Sequence, residues 1–154
     1  MNKTVVMLSV AMIFTVSTQA AEDKAHEQWL KDKFSQQHQD IIPKVAVADM
    51  FYGCNSERKS DPIPYQIKDL VTRMDKTLLA EKLSNCLAQD SVTSEVALDF
   101  GLFACFHEQF STLKPDEKAE KLARVKTLLT SLSKAEKHKS FTKCVTSQAI
   151  NYLS

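Results

Sequence analysis

The sequence predicts an all-α fold, a small bundle of five to seven helices fastened by two disulfides. Apolar residues recur at spacings of three and four, as on amphipathic helices, and do not alternate with a period of two. The 154-residue chain has two glycines and four prolines, so few positions would force a helix to end. Its four cysteines supply two covalent links for a core of this size.

The first 20 residues have the three-part layout of a secretory signal peptide. A positively charged start precedes an apolar run of 13 residues, TVVMLSVAMIFTV. That run is too short for a membrane-spanning helix, which needs about 20 residues. Small residues at the end of the segment predict cleavage between Ala20 and Ala21. We therefore expect a signal peptide over residues 1–20, a single helical domain over residues 21–154, and a periplasmic location.

The charge balance bears on the class of partner. Lys3 is the one charged residue of the leader, and the whole chain has 20 basic and 19 acidic residues. The exported part is therefore close to neutral. Binding to nucleic acid depends on a basic face that neutralises phosphates, so we expect no nucleic-acid partner. No later apolar run in the sequence approaches membrane-spanning length, and we expect no membrane partner.

The cysteines Cys54, Cys86, Cys105 and Cys144 are widely spaced, with gaps of 32, 19 and 39 residues. An even number of cysteines in an exported chain predicts disulfides. A zinc site is the rival interpretation, but zinc ligands usually come in close pairs two to four residues apart. We therefore expect two disulfides and no metal site.

The pairing of the cysteines depends on the directions of the helices. If successive helices alternate, Cys54 and Cys86 lie at one end of the bundle, and Cys105 and Cys144 lie deeper in facing helices. That arrangement favours Cys54–Cys86 with Cys105–Cys144. If residues 64–89 form one continuous helix, Cys54–Cys105 with Cys86–Cys144 fits better. We favour the first pairing and leave the second open.

Local signals predict the helix boundaries of the first half. We expect a helix over residues 23–37 and a second that begins at Pro43, where the missing N–H suits a first turn. The prolines and mixed charges of residues 55–64, NSERKSDPIP, predict a loop without helix. A third helix begins at Pro64. Asp75 is a candidate cap for a fourth, unless the two are continuous.

The second half has stronger signals. Residues 91–110 form the most apolar segment, so we expect that helix to be central, with part of its surface facing a second subunit if the protein dimerises. Pro115 and the acidic residues after it predict the start of a sixth helix. Ser133 and Glu136 form a capping box that opens the last helix. The side chains expected on apolar inner faces include Val92, Val96, Leu128 and Ile150.

Motifs of enzymes are incomplete in this sequence. His26 and His107 are each followed by glutamate, but neither has the second histidine four residues on that a zinc protease needs. Asp99 and Glu108 are nine residues apart on one predicted helix, about 13 Å along its axis, and are better interpreted as solvated charges than as a glycosidase pair. We therefore expect neither catalytic activity nor a cofactor.

Two polar stretches are candidate partner-binding surfaces, the loop over residues 55–61 and the locally basic turn over residues 133–139. Loops on a rigid scaffold often carry function, although an ordinary solvated surface is the simpler interpretation. Cationic side chains suit an acidic cleft, because opposite potentials steer docking. The residues predicted to contact a partner are Glu57, Arg58, Lys59, Lys134, Glu136, Lys137, His138 and Lys139.

Several segments together suggest a family: residues 51–55 (FYGCN), the helices of Cys86 and Cys105, and residues 141–144 (FTKC). With the export signal, they make the chain resemble the periplasmic immunity proteins of type VI secretion systems. It is most similar to the immunity partner of a spike-tip protein with a lysozyme-like domain. The resemblance implies a helical, often dimeric inhibitor that occludes the active site of a secreted, peptidoglycan-degrading hydrolase. The alternative is a small periplasmic chaperone or stress protein.

Overall fold

The computed structural model describes residues 19–154, without the side chains of residues 19–23, 27, 30 and 34. Residues 1–18, most of the predicted signal peptide, lie outside the described residues. Six α-helices and no strand occur in residues 19–154, which confirms the all-α class and the predicted number of helices. The helices are α1 (Gln19–Arg58), α2 (Ile67–Thr72), α3 (Lys76–Leu87), α4 (Glu95–Gln109), α5 (Pro115–Leu129) and α6 (Lys134–Leu153).

Contacts divide the described chain after Ser35 into two compact units. In the first, Trp29 is exposed, the ring of His26 stacks on it at 5.8 Å between centroids, and the Lys33 ammonium lies 4.7 Å from its ring centroid. The second unit, residues 36–154, contains the core and both disulfides. Among the described residues, no helix is both long and apolar enough to cross a bilayer.

The predicted helix break before Pro43 is wrong, because α1 continues through that residue. A proline inside a helix loses one hydrogen bond and crowds the preceding turn, at a cost of about 3 kcal/mol. The ring of Pro43 lies on an exposed face. Opposite it, Val45, Ala48 and Phe51 on the next turns are buried, and this burial offsets the cost.

The predicted loop over residues 55–64 is shorter than expected, because α1 continues to Arg58. Lys59, the residue after the helix, has a left-handed φ of 54°, and its N–H donates to the Asn55 carbonyl at 2.9 Å. The Asn55 side chain then holds the loop by donating to the Asp61 carbonyl at 3.1 Å and accepting from the Asp61 N–H at 2.7 Å. The Lys82 ammonium and the Tyr65 hydroxyl both donate to the carboxylate of Asp61. The hydrogen bond from Lys82 is the main reason why the pKa of Asp61 is lowered.

Helices α2 and α3 are separate, so the alternative of one continuous helix over residues 64–89 is wrong. Asp75 caps α3, as predicted, and accepts from the backbone N–H groups of Thr77 at 2.9 Å and Leu78 at 3.1 Å. These two hydrogen bonds lower the pKa of the Asp75 carboxyl.

The predicted starts of α5 and α6 are confirmed. Pro115 is the first residue of α5. Ser133 and Glu136 form the capping box of α6, in which the Ser133 hydroxyl accepts from the Glu136 N–H at 3.3 Å and the Ser133 N–H donates to Oε2 of Glu136 at 2.8 Å. Helix α4 begins at Glu95, with Ser94 as its cap, four residues later than the start predicted near residue 91.

The favoured disulfide pairing is confirmed. Cys54–Cys86 joins α1 to α3, and Cys105–Cys144 joins α4 to α6. Helix α4 packs against both α5 and α6, in keeping with the central position predicted for it. Its buried residues are Ala97, Leu98, Phe100, Gly101, Leu102, Ala104 and Cys105.

Both glycines allow helices to approach closely. A Cβ at Gly53 would lie 2.1 Å from the backbone carbonyl oxygen of Phe100, so α1 and α4 are nearly in backbone contact there. A Cβ at Gly101 would lie 2.6 Å from the ring of Phe141 on α6. Each glycine therefore lies where two helices pack so closely that a side chain would clash with the neighbouring helix.

Four side chains expected to face inward are exposed instead. Val92, Val96, Leu128 and Ile150 have 53%, 38%, 62% and 47% of their surface exposed. A periodic stripe shows which face of a helix is apolar, but the width of the contact depends on the neighbouring helix. The buried residues of α5 are Val125 and Leu129, so much of its stripe lies outside the contact.

Candidate functional site

Arg58, one of the predicted partner-binding residues, forms hydrogen bonds within the molecule. Its guanidinium donates to the carbonyls of Cys86 at 3.0 Å and Leu87 at 2.9 Å, and to the carboxylate of Asp90 at 2.7 Å. These carbonyls lie at the end of α3, where backbone oxygens lack helical partners. Arg58 therefore fastens the end of α1 to the end of α3, beside the disulfide Cys54–Cys86.

Lys137 and Glu136 also act within the fold. Lys137 is buried, and its ammonium lies 2.9 Å from Oδ1 of Asp99 on α4. Glu136 belongs to the capping box of α6, and hydrogen bonds from Ser133 lower the pKa of its carboxyl. Sequence reasoning identified both residues as notable but could not distinguish a partner contact from an internal one.

The other five predicted partner-binding residues are exposed: Glu57, Lys59, Lys134, His138 and Lys139. Glu57 and Asp99 line the same groove, and Asp99 pairs with Lys137. Asp99 thus shares a groove with Glu57, from the first predicted stretch, and pairs with Lys137, from the second. His138 lines a different hollow, with Val92 and Phe141.

The groove at Glu57 lies between the end of α1, the first half of α4 and the end of α5, and we call it the α1–α4–α5 groove. Its volume is about 400 Å³. Its lining residues are Gly53, Ser56, Glu57, Val96, Asp99, Phe100, Phe103, Lys126, Leu129 and Thr130. Aromatic and aliphatic side chains thus lie among charges of both signs.

Two cations border the aromatic floor of this groove. The Lys126 ammonium lies 4.9 Å from the centroid of the Phe103 ring, and the Arg58 guanidinium lies 5.2 Å from that of Phe100. Such cation–π contacts hold the cations over the rings. The sequence predicted one residue on the rim of this groove, Glu57. It did not predict the floor of the groove, because Phe100 and Phe103 were interpreted as ordinary core residues.

A second groove lies on the opposite flank of α5, and we call it the α4–α5 groove. Its volume is about 340 Å³, and Leu129 lines both grooves. Its lining is mostly apolar, with two cations and one hydroxyl. The residues are Leu102, Phe106, Phe110, Lys121, Arg124, Val125, Leu128, Leu129, Leu132 and Ser140. Sequence reasoning missed this groove, although the apolar stripe of α5 was its signal.

A chain of polar side chains runs from the core to the surface near the ends of α4 and α6. Gln148 donates to the fully buried carboxylate of Asp49 at 3.1 Å, and the Tyr152 hydroxyl donates to Glu108 at 3.3 Å. Among the described residues, Oδ2 of Asp49 has no hydrogen-bond partner. Burial raises the pKa of Asp49 well above its usual value, and it also raises that of Tyr152.

His107 lies next to this region and contacts Tyr52. Its Nε2 is 3.3 Å from the Tyr52 hydroxyl, and the two ring centroids are 5.0 Å apart. Burial, and secondarily the positive charge of Lys118, lower the pKa of His107. The sequence interpretation of His107 as a packed or surface histidine agrees with this half-buried position.

The described side chains form two grooves, one on each flank of α5, on which a partner could bind. Among the side chains that the structure describes, no group of three or more His, Cys, Asp or Glu residues is arranged to hold a metal ion. Asp99 pairs with Lys137, and Glu108 accepts from Tyr152, so these two carboxylates have separate partners. The two grooves that flank α5 are therefore the candidate functional site.

Comparison with known proteins identifies no relative of this chain. The sequence matches no protein-family model, and no curated protein or solved structure is significantly similar to it.

Proposed function

We propose that this protein is an immunity protein of the periplasm, which binds a secreted peptidoglycan-degrading effector and occludes its active site. The features of the sequence that support this proposal are the leader and the resemblance to such immunity proteins. The structural observation that carries it is the α1–α4–α5 groove. That groove combines an apolar floor with a charged rim on a scaffold held by two disulfides.

The groove has the anatomy of a protein-binding surface. Binding energy concentrates at aromatic and arginine side chains surrounded by less important contacts. Here Phe100 and Phe103 lie in the floor, and Glu57, Asp99 and Lys126 supply charge. Charges of both signs at fixed positions favour one orientation of the partner and disfavour others.

The backbone around the groove is held in place before any partner binds. The disulfide Cys54–Cys86 and the hydrogen bonds of Arg58 fix the end of α1, which carries Glu57. The ion pair between Lys137 and Asp99 links α6 to α4. A preordered surface loses less conformational entropy on binding, which suits an inhibitor that must act at low effector concentration.

An inhibition assay tests the proposal. Purified, oxidised protein in micromolar excess should abolish the release of soluble fragments from peptidoglycan by its target hydrolase. The first hydrolases to test are lysozyme-like enzymes secreted by the same cell, especially one encoded beside this protein. If the hydrolase that co-purifies with the protein retains its full rate in that excess, the proposal is wrong.

Groove variants make the assay specific. Glu57→Lys and Lys126→Glu reverse rim charges on exposed side chains, and each should weaken inhibition about tenfold, or roughly 1.4 kcal/mol of binding. Lys68→Glu, an exposed residue on α2 outside this groove, is the matched control and should inhibit normally. Equal inhibition by all three variants would place the contact elsewhere on the molecule.

One observation favours the alternative of a periplasmic chaperone: the apolar α4–α5 groove and the exposed Leu128 could hold an unfolded client. The measurement that separates the two functions is aggregation of a denatured client at neutral and at acidic pH. Under the immunity proposal, equimolar protein leaves client aggregation unchanged at both pH values. Suppression of aggregation together with no inhibition of hydrolases would favour the chaperone.

A further inference from the structure

We infer that the α4–α5 groove is a docking site for an acidic amphipathic helix of a partner protein. Apolar side chains of that helix would fill the groove, and its carboxylates would meet Lys121 and Arg124. The inference does not require the partner to be a hydrolase, and it concerns the flank of α5 opposite the α1–α4–α5 groove. It stands on the shape, the lining and the charge of the groove.

The shape of the groove suits a helix. Along α5 its lining extends from Lys121 to Leu129, which at 1.5 Å per residue is about 12 Å or slightly more than two helical turns. A docked helix uses apolar anchors at positions i, i+4 and i+7, which span about two turns. Phe106 on α4 and Phe110, directly after the end of α4, form the facing wall, and Leu128, with 62% of its surface exposed, forms the outer edge.

The charge of the groove selects an acidic partner. Among the described residues, the charged side chains that line it are Lys121 and Arg124. Their present ion-pair partners are Glu117, at 3.4 Å from Lys121, and Glu120, at 2.6 Å from Arg124, and the Lys121 ammonium also lies 5.6 Å from the centroid of the Phe110 ring. These glutamates lie on α5 itself and do not line the groove. Exposed ion pairs of this kind are weak, so carboxylates from a docked helix can replace them.

Two other occupants fit less well. A second copy of this chain would bring its own Lys121 and Arg124 to the same face, and like charges would oppose the contact. An acyl chain is apolar all round, and in an open groove one side of it would remain in water. An amphipathic helix buries its apolar face and keeps its polar face solvated, which is what an open groove requires.

A designed peptide tests the inference. The probe is a fluorescent amphipathic helix of about five turns, with leucines on one face and glutamates beside them. Its matched control has lysines in place of the glutamates. We expect the acidic peptide to bind the purified, oxidised protein with micromolar affinity and the basic peptide to bind at least about tenfold more weakly, as measured by fluorescence anisotropy.

Variants locate the bound peptide. Leu128→Asp places a charge on the edge of the groove and should weaken binding about tenfold. Arg124→Glu should reduce the preference for the acidic peptide. Val92→Asp, which makes the same kind of change at an exposed apolar residue outside the groove, is the control and should bind like the unaltered protein. All three sites are exposed, so a folded protein is expected and circular dichroism verifies it.

Three results would overturn the inference. The first is equal affinity for the acidic and basic peptides. The second is displacement of the peptide by a fatty acid that itself binds more tightly, which would assign the groove to an anionic lipid. The third is a dimer in sedimentation that Leu128→Asp dissociates, which would assign the groove to a second copy of the chain.

Discussion

At the scale of single residues, the structure separates charged side chains that serve the fold from those that remain exposed. Lys137 and Lys134 are neighbours in one basic turn, yet Lys137 is buried against Asp99 and Lys134 is exposed. Asp49 is a second charged residue in the core, with one hydrogen bond from Gln148. Buried ionisable groups are costly unless they are paired, so these residues should control stability.

The two lysines give a direct comparison. Lys137→Ala removes the ammonium that pairs with Asp99 and leaves a space beside α4, so the free energy of unfolding should fall by about 2 kcal/mol. Lys134→Ala should change it by less than about 0.5 kcal/mol, as is usual for surface residues. Urea denaturation measures both values. Equal effects of the two substitutions would show that the ion pair contributes nothing to the fold.

The raised pKa of Asp49 predicts how the free energy of unfolding changes with pH. Burial raises the pKa of Asp49 in the folded protein above its unfolded value, so the folded state holds the proton more tightly. This contribution is fully present below the unfolded pKa and is lost as pH rises through the folded pKa. Asp49→Asn stays neutral and should therefore raise the free energy of unfolding at pH 7 by about 1 kcal/mol, with a smaller gain near pH 4.

The control for this substitution is Asp40→Asn, which changes an exposed carboxyl. Denaturant unfolding of both variants across this pH range separates the effect of burial from that of net charge. A gain for Asp49→Asn that is independent of pH, or one that Asp40→Asn reproduces, would contradict the assignment of a raised pKa to Asp49.

At the scale of elements, close approach of helices explains where glycine occurs. The positions of α1 and α4 are limited by contact between Gly53 and the backbone of Phe100. At Gly101 the neighbour is the side chain of Phe141, which can rotate or shift more readily than backbone. The same addition of one methyl group should therefore have different costs at the two positions.

Gly53→Ala should lower the free energy of unfolding by about 3 kcal/mol, because α1 and α4 must separate to admit the Cβ. Gly101→Ala should cost less, since the ring of Phe141 can yield, whereas the gain of about 1 kcal/mol in helix propensity of alanine over glycine applies at both positions. Thermal and urea unfolding of both variants check the order. A larger decrease in the free energy of unfolding for Gly101→Ala would contradict the close backbone contact between Gly53 and Phe100.

At the scale of the whole molecule, the two disulfides link four of the six described helices. They join α1 to α3 and α4 to α6, whereas α5 has no cysteine and buries Val125 and Leu129. The helix between the two grooves is thus the one among α3 to α6 that lacks a covalent link. The packing of Val125 and Leu129, rather than a covalent link, therefore holds α5 in its place between the two grooves.

Removal of either disulfide should be similarly damaging. The two bridges close loops of comparable length, with sequence separations of 32 and 39 residues. Replacing Cys54 and Cys86, or Cys105 and Cys144, by serine pairs should lower the free energy of unfolding by about 2–4 kcal/mol in each case. Denaturant unfolding checks both variants. Unaltered stability in either would contradict a structural role for that bridge.

Much of the fold was predictable, because its signals are local. The caps at Asp75 and Ser133 and the start at Pro115 depend on hydrogen bonds and φ angles within a few residues, so each was identified correctly. The continuity of α1 through Pro43 was not, since it depends on the burial of the following turns. The candidate site was predicted in part, through Glu57, while its aromatic floor was interpreted as core.

The sequence by itself determined the helical class and the starts of α3, α5 and α6, and it favoured the disulfide pairing that the structure contains. The tertiary structure alone decided that Lys137 is buried, that Leu128 is exposed and that α5 lies between two grooves. The physical reason is that a cap or an apolar period acts over one or two turns. Exposure and cavity shape depend instead on which distant helix covers a face, and neighbours in space are not neighbours in the chain.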